Sequence, residues 1–216
     1  MPTQTGGGLH AARHAPGGVD DIYSDYGHQH GLYLPTFPEY AIQQTGAAVA
    51  GGSVYLSYAT PDAPITVNYV LVHTAATASS ASGQTLIKCG VYSIDAGTAQ
   101  ATLIASSANV QAAGANIIGN SPATNVAAFQ VLNALYQIPM SAGVALVAGT
   151  RYAFATVVVQ AASNTLPTFK QGGAQTISSN VVPVKKCGII TGQTDLPAGP
   201  IAVGSTGSWY WQAGQT

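Results

Sequence analysis

From Ser53 onward, apolar and polar residues alternate over short runs, the period of a strand with one buried face. "ITVNYVLVH" places Ile65, Val67, Tyr69 and Leu71 on one side, and "TLIKCGVYSI" turns Ile87, Cys89 and Val91 inward with Lys88 facing water. In "RYAFATVVVQ" the alternation is one of size: Tyr152, Phe154 and Val158 against Ala153, Ala155 and Val157. Further runs are "SVYLSYA", "ATLIASS", "ALYQIPM", "GVALV", "VVPVKKCGII" and "SWYWQ". Turn chemistry separates them in "TPDAP", "IDAG", "SAG", "VAGT", "QGG" and "LPAGP". The Ala-rich stretch "ANVQAAGANIIGNSPATNVAAFQ" carries glycines and asparagines that argue for a loop with short strands. Many short strands with Gly/Pro punctuation predict an all-β fold, an antiparallel β-sandwich (jelly-roll-like), over residues 53–216.

Residues 1–52 are built differently. Glycines and prolines interrupt every run, and there is no periodic face to bury. Yet Tyr23, Tyr26, Tyr33, Phe37 and Tyr40 are more aromatics than a flexible linker carries. The expectation is an extended anchoring and oligomerisation arm whose aromatics pack on a neighbour. The alternative is a segment that wraps the chain's own sandwich.

Composition sharpens this picture. Of 216 residues, 6 are basic and 7 acidic, so 6% are charged, against roughly 25% in ordinary soluble domains. Hydrophobic residues make up 47%, enough for a sizeable core. A chain so poor in charge would associate when alone and suits an assembly. Lys and Arg do not cluster beyond Lys185 and Lys186, so no nucleic-acid partner is expected. No stretch reads as a membrane span or a signal peptide. Cys89 and Cys187 lie in apolar runs beside glycine, which suits buried free thiols over a disulfide.

Near the start, "HAARHAPGGVDDI" sets His10, Ala11, His14, Gly17, Gly18 and Asp20 in a fixed spacing. Gly17 and Gly18 permit a sharp bend, and Asp20 can accept backbone hydrogen bonds after it, so the stretch reads as a hinge or junction. It resembles the His-Ala-x-x-His-x-x-Gly-Gly-x-Asp motif of tailed-bacteriophage tail fibres and minor tail proteins, with Asp21 where that family continues with Pro. "LVAGTRYAFATVVV" is similar to the Gly-Thr-x-Tyr strand opening of virion β-sandwich modules, and "CGVYSIDAGTAQATLIASS" to their strand–turn–strand. The resemblance implies a structural virion protein, as a tail-tip or fibre component or as a capsid decoration protein. It also implies a homotrimer located in the virion.

Three chemical candidates follow. His28 and His30 in "GHQHG" would project to one side of an extended strand, and three copies around an axis would offer six imidazoles to a transition metal. The alternative is two polar residues in a Gly-flanked loop. Trp209 and Trp211 share a face and could stack on host surface glycan, or fill the core. Catalysis needs convergent polar groups, but Asp62, Asp95 and Asp195 each sit in a turn-like sequence. His73 ends a strand, where a loop carbonyl would satisfy it. The chain is therefore expected not to be an enzyme and to need no cofactor, the competing reading being a glycan depolymerase with paired carboxylates.

Overall fold

The computed structural model describes residues 33–35, 42–75, 84–117, 129–160, 165–172, 187–204 and 212–216. The strands are β1 (Tyr33–Pro35), β2 (Ile42–Ala48), β3 (Ser53–Ala59), β4 (Ile65–His73), β5 (Gln84–Ile94), β6 (Gln100–Ser106), β7 (Asn116–Ile117), β8 (Leu135–Leu146), β9 (Tyr152–Gln160), β10 (Thr168–Gly172), β11 (Cys187–Ile190), β12 (Ile201–Ala202) and β13 (Gln212–Gln215). One helical turn, α1, spans Val110–Ala113. Every strand pairing is antiparallel. A five-stranded sheet runs β1-β13-β4-β8-β7, a six-stranded sheet β11-β3-β9-β5-β6-β12, and a ribbon pairs β10 with β2. The fold is all-β, a sandwich of antiparallel sheets, as the alternation predicts.

The size alternation in β9 explains its shape. Tyr152, Phe154 and Val158 enter the core between the sheets with Ile87, Cys89 and Val91 of β5 and Val70, Val72, Tyr136 and Ile138 of the facing sheet. Ala153, Ala155 and Val157 enter a second buried cluster with Val54, Leu56, Tyr58, Tyr92, Ile190 and Leu196. Small residues on that side let the six-stranded sheet curl. Its edges then meet: β12 pairs with β6, and two residues later Gly204 exchanges backbone hydrogen bonds of 3.1 and 2.9 Å with Ile189 of β11. Gly188 makes the closure fit, because a Cβ there would collide with Val203 and come within 2.9 Å of the Tyr58 hydroxyl.

Four expectations change. In β4, Asn68 stands opposite a bulge at residues 140–143 of β8, so the phase slips. Val67, Val70 and Val72 face the main core, and Tyr69 and Leu71 do not share the face of Val67. The "SAG" read as a turn lies inside that bulge, which joins the two expected runs into one twelve-residue strand, β8. The Ala-rich stretch does start a helix, for one turn only, because Asn109 caps it by accepting from the Gln111 amide. A single turn is too short to show a period. Finally, strand structure starts before Ser53. β1 pairs with β13 and β2 with β10, and Leu34 and Val49 are buried in the main core. The described part of residues 1–52 thus belongs to the chain's own sheets.

One local device recurs three times. The amides of Ala50, Val131 and Val147 donate to the hydroxyls of Tyr55, Tyr136 and Tyr152, at 2.7, 2.9 and 3.1 Å, each five residues on. Each tyrosine ring enters the main core near the start of the strand that follows. In each case the residue two beyond the donor is left-handed: Gly52 (φ 70), Asn133 (φ 49) and Gly149 (φ 73). "AGGSVY", "VLNALY" and "VAGTRY" are one tyrosine-latched turn in three versions.

Candidate functional site

The ladders sort the connections onto two ends of the sandwich. Ala59 pairs with Tyr152, Ser93 with Tyr152 and Ile65 with Leu146, so residues 60–64, 95–99 and 147–151 share one end. Backbone hydrogen bonds from Gly149 to Pro61 (2.9 Å) and from Ile94 to Arg151 (3.1 Å) tie them together. His73 pairs with Leu135 and Gln84 with Gln160, so the longer connections 74–83, 118–134 and 161–167 lead from the opposite end.

At the short-turn end the polar groups serve the fold. The Asp95 carboxylate accepts from the Gly97 amide and from the amide and hydroxyl of Thr98, which hold its pKa below the usual 3.8. The Arg151 guanidinium lies 4.3 Å from the centre of the Tyr58 ring. Asp62 is exposed on the loop beside them. Asp195 belongs elsewhere: at 2.7 Å from the Lys88 ammonium, it clips residues 191–200 over the curled sheet. The Tyr92 hydroxyl adds a bond to the Pro197 carbonyl at 3.0 Å. Lys88 thus leaves the core, as expected, but ends on a carboxylate.

The long-connection end displays apolar surface. Phe129 is fully buried, edge-on to Tyr136 and Phe169 with ring centres 5.2 and 4.9 Å away, although its φ is 63. From this anchor the chain exposes Val131 (36%) and Leu132 (50%). The Thr74 hydroxyl completes the turn, donating to the Val131 carbonyl at 2.8 Å and accepting from the Ala134 amide at 3.0 Å. His73 is half-buried here and bonded to the Asn133 backbone; burial, with Lys170 nearby, pushes its pKa below 6.5. A loop carbonyl satisfies His73, as its place in the sequence suggests.

A buried polar chain crosses the main core. The Cys89 thiol lies 3.4 Å from the Thr156 hydroxyl, which lies 3.3 Å from the Gln212 amide oxygen, and the Gln212 nitrogen donates to the Tyr55 carbonyl at 3.2 Å. It links β13 of one sheet to β3, β5 and β9 of the other. Burial pushes the Cys89 thiol up to about 12, so it stays protonated and unreactive. Neither cysteine forms a disulfide. Cys89 on β5 and Cys187 on β11 are separated in the sheet by β9 and β3.

His10, His14, Gly17, Gly18 and Asp20, the pair His28 and His30, and Trp209 and Trp211 all lie outside the described residues. Gln212, which follows Trp211, pairs with Val72 near the long-connection end. Among the described residues no group of three or more His, Cys, Asp or Glu converges, and no helix is long and apolar enough to cross a membrane. The sequence reading missed the latched turns and the polar chain. The signal for the former is Tyr three residues after Gly or Asn, present at Tyr55, Tyr136 and Tyr152. No family model matches the chain, and no curated protein matches it.

Proposed function

We propose that this chain is a non-enzymatic structural protein of a tailed-phage particle, a tail-tip or fibre component that oligomerises through its N-terminal residues and displays the sandwich. The observation that carries this reading is the fate of its few charges. Of the six charged residues described, Lys88 and Asp195 pair with each other, Arg151 lies on Tyr58, Asp95 is bound by its own turn, Lys170 is 6% exposed, and Asp62 stands exposed on its loop. Such a surface of hydroxyls, amides and methyls is poorly guarded against association and suited to permanent contacts.

Polarity follows from β1. Its first residue, Tyr33, is level with Tyr69 and its last, Pro35, with Leu71, so β1 runs from the short-turn side toward the long-connection end. Anchoring then belongs to that side, and the long-connection end, with Val131 and Leu132, points away from the particle. Trp209 and Trp211 precede a strand that begins near this end, which suits contact with host glycan. His28 and His30 would sit in the anchoring segment, where a metal on a homotrimer axis would staple copies together. Labelling the chain on intact particles and locating it by electron microscopy tests the reading. Density at the tail tip is expected. Density over the capsid lattice would make it a decoration protein, and absence from the particle would overturn the proposal. A turnover assay on host-wall glycan, expected to be flat, separates display from depolymerisation.

A further inference from the structure

We propose that residues 143–146 of β8 seat the N-terminal segment of a neighbouring copy, which joins the five-stranded sheet as an added antiparallel strand. This rests on the oligomerisation through the N-terminal residues proposed above and specifies where that segment goes. Curling closes the six-stranded sheet on itself, so among the two large sheets open edges are left to the five-stranded one. On its β8 side, β7 pairs only with Tyr136 and Gln137, and Ser107 bridges Met140. Among the described residues, no strand pairs with the outer edge of residues 143–146. Natural edges carry lysine, proline or a bulge against unwanted pairing. Here Pro139 and the bulge at 140–143 guard the upper part, but "GVALV", residues 143–147, holds no charge and no proline, and Val147 beyond it is 61% exposed.

The occupant follows from the opposite edge. There β1 begins at the level of Tyr69, which pairs with Pro139 of β8. Continued backwards, the line of β1 passes the levels of Val67 and Ile65, where β8 presents Val144 and Leu146. If copies stand side by side around an axis parallel to the strands, the β1 edge of one meets the β8 edge of the next at that height. The directions also agree. β1 runs with β4 and hence against β8, so the added strand is antiparallel, like every other pairing in the fold. Length is sufficient: the 32 residues before Tyr33 span up to about 105 Å extended, against a radius of gyration of about 16 Å for a domain this size. The contact joins two different edges, so it closes into a ring rather than a two-fold pair.

Hydrogen exchange on the full chain, with its mass in solution, tests this. In the assembled full chain, amides within 143–146 should exchange at least tenfold more slowly than after dilution to monomer. Removing residues 1–32 should yield a monomer with those amides fast. Ala145→Lys, on an exposed side chain in the otherwise intact chain, should also lower the mass to that of one copy. Slow exchange that survives removal of 1–32 would assign the edge to another occupant, such as a second β8. Fast exchange in an assembled full chain, or a full chain that never assembles, would overturn the pairing outright. None of these outcomes depends on where the chain sits in a particle, so the virion reading stands or falls separately.

Discussion

The turns that end in Tyr136 and Tyr152 use one latch under opposite circumstances. At Tyr152 the left-handed position is Gly149, where a Cβ would meet nothing within 4 Å, and the Thr150 amide returns directly to the Val147 carbonyl at 3.3 Å. At Tyr136 the left-handed position is Asn133, Phe129 is left-handed as well, and the Thr74 hydroxyl is inserted where the direct bond would be. Left-handed backbone costs an L-residue about 1–2 kcal/mol, and a phenylalanine there is a genuine outlier. The first turn holds itself. The second is held by the core beneath it and so presents Val131 and Leu132 rigidly, as befits the end that faces outward in the proposed particle.

Removing the anchor should break the comparison most severely. Phe129→Ala deletes a fully buried ring wedged between Tyr136 and Phe169 and should cost about 3–5 kcal/mol by denaturant unfolding. If the cost is under about 1 kcal/mol, relief of strain at φ 63 cancels the lost packing, and the anchor account is wrong. Next come the latches. Tyr136→Phe and Tyr152→Phe keep the rings and strand an amide, at about 1–3 kcal/mol each. Tyr136→Phe should cost more, because the Gln130 and Phe129 amides also lie against its hydroxyl, where burial keeps the phenol protonated. Equal losses would mean that the latch, not its surroundings, sets the energy.

Smaller effects sharpen the contrast in backbone strain. Asn133→Gly should stabilise by up to about 1 kcal/mol and Gly149→Ala should destabilise by about 1–2 kcal/mol. Opposite signs at equivalent positions in two copies of one turn are the signature sought in thermal melts. Two changes of the same sign would show that the turns are not equivalent.

How much of this could be read from the chain depends on the range of the cause. Strand periods at β5 and β9 were legible because each buried face is a strict alternation, and the alanines of β9 even carried the reason for the curl. The β4 face was misread because its phase is set by a bulge in β8, some seventy residues away. Phe129 falls in the stretch expected to be a loop with short strands, and nothing beside it announces a buried ring on a left-handed backbone packed against Phe169. Closure of the six-stranded sheet by Gly204 is a long-range bond without local period. Of the candidate sites, only His73 and the aspartates fall where the structure speaks; the roles of His73 and Asp95 as loop and turn groups were legible from neighbouring residues, whereas the pairing of Asp195 with Lys88, 107 residues away, was not.

Acidity separates the two ends with the smallest effect. His73, beside the strained turn, has its folded pKa pushed below the ordinary 6.5 by burial and by Lys170. Between those values the unfolded chain binds the extra proton and the folded chain does not. This stability is full above about pH 6.5 and is lost as pH falls towards the folded value, below which it no longer changes. Asp95, at the short-turn end, has its folded pKa below 3.8 because Thr98 and Gly97 donate to its charged form. Its contribution is present above 3.8 and disappears as pH falls through the folded value. Unfolding midpoints measured across pH should therefore decline in two separate steps. His73→Gln should flatten the upper step alone and Asp95→Asn the lower alone. If either variant changes both windows, the ends are electrostatically coupled, and treating them as independent surfaces, one anchored and one displayed, loses its basis.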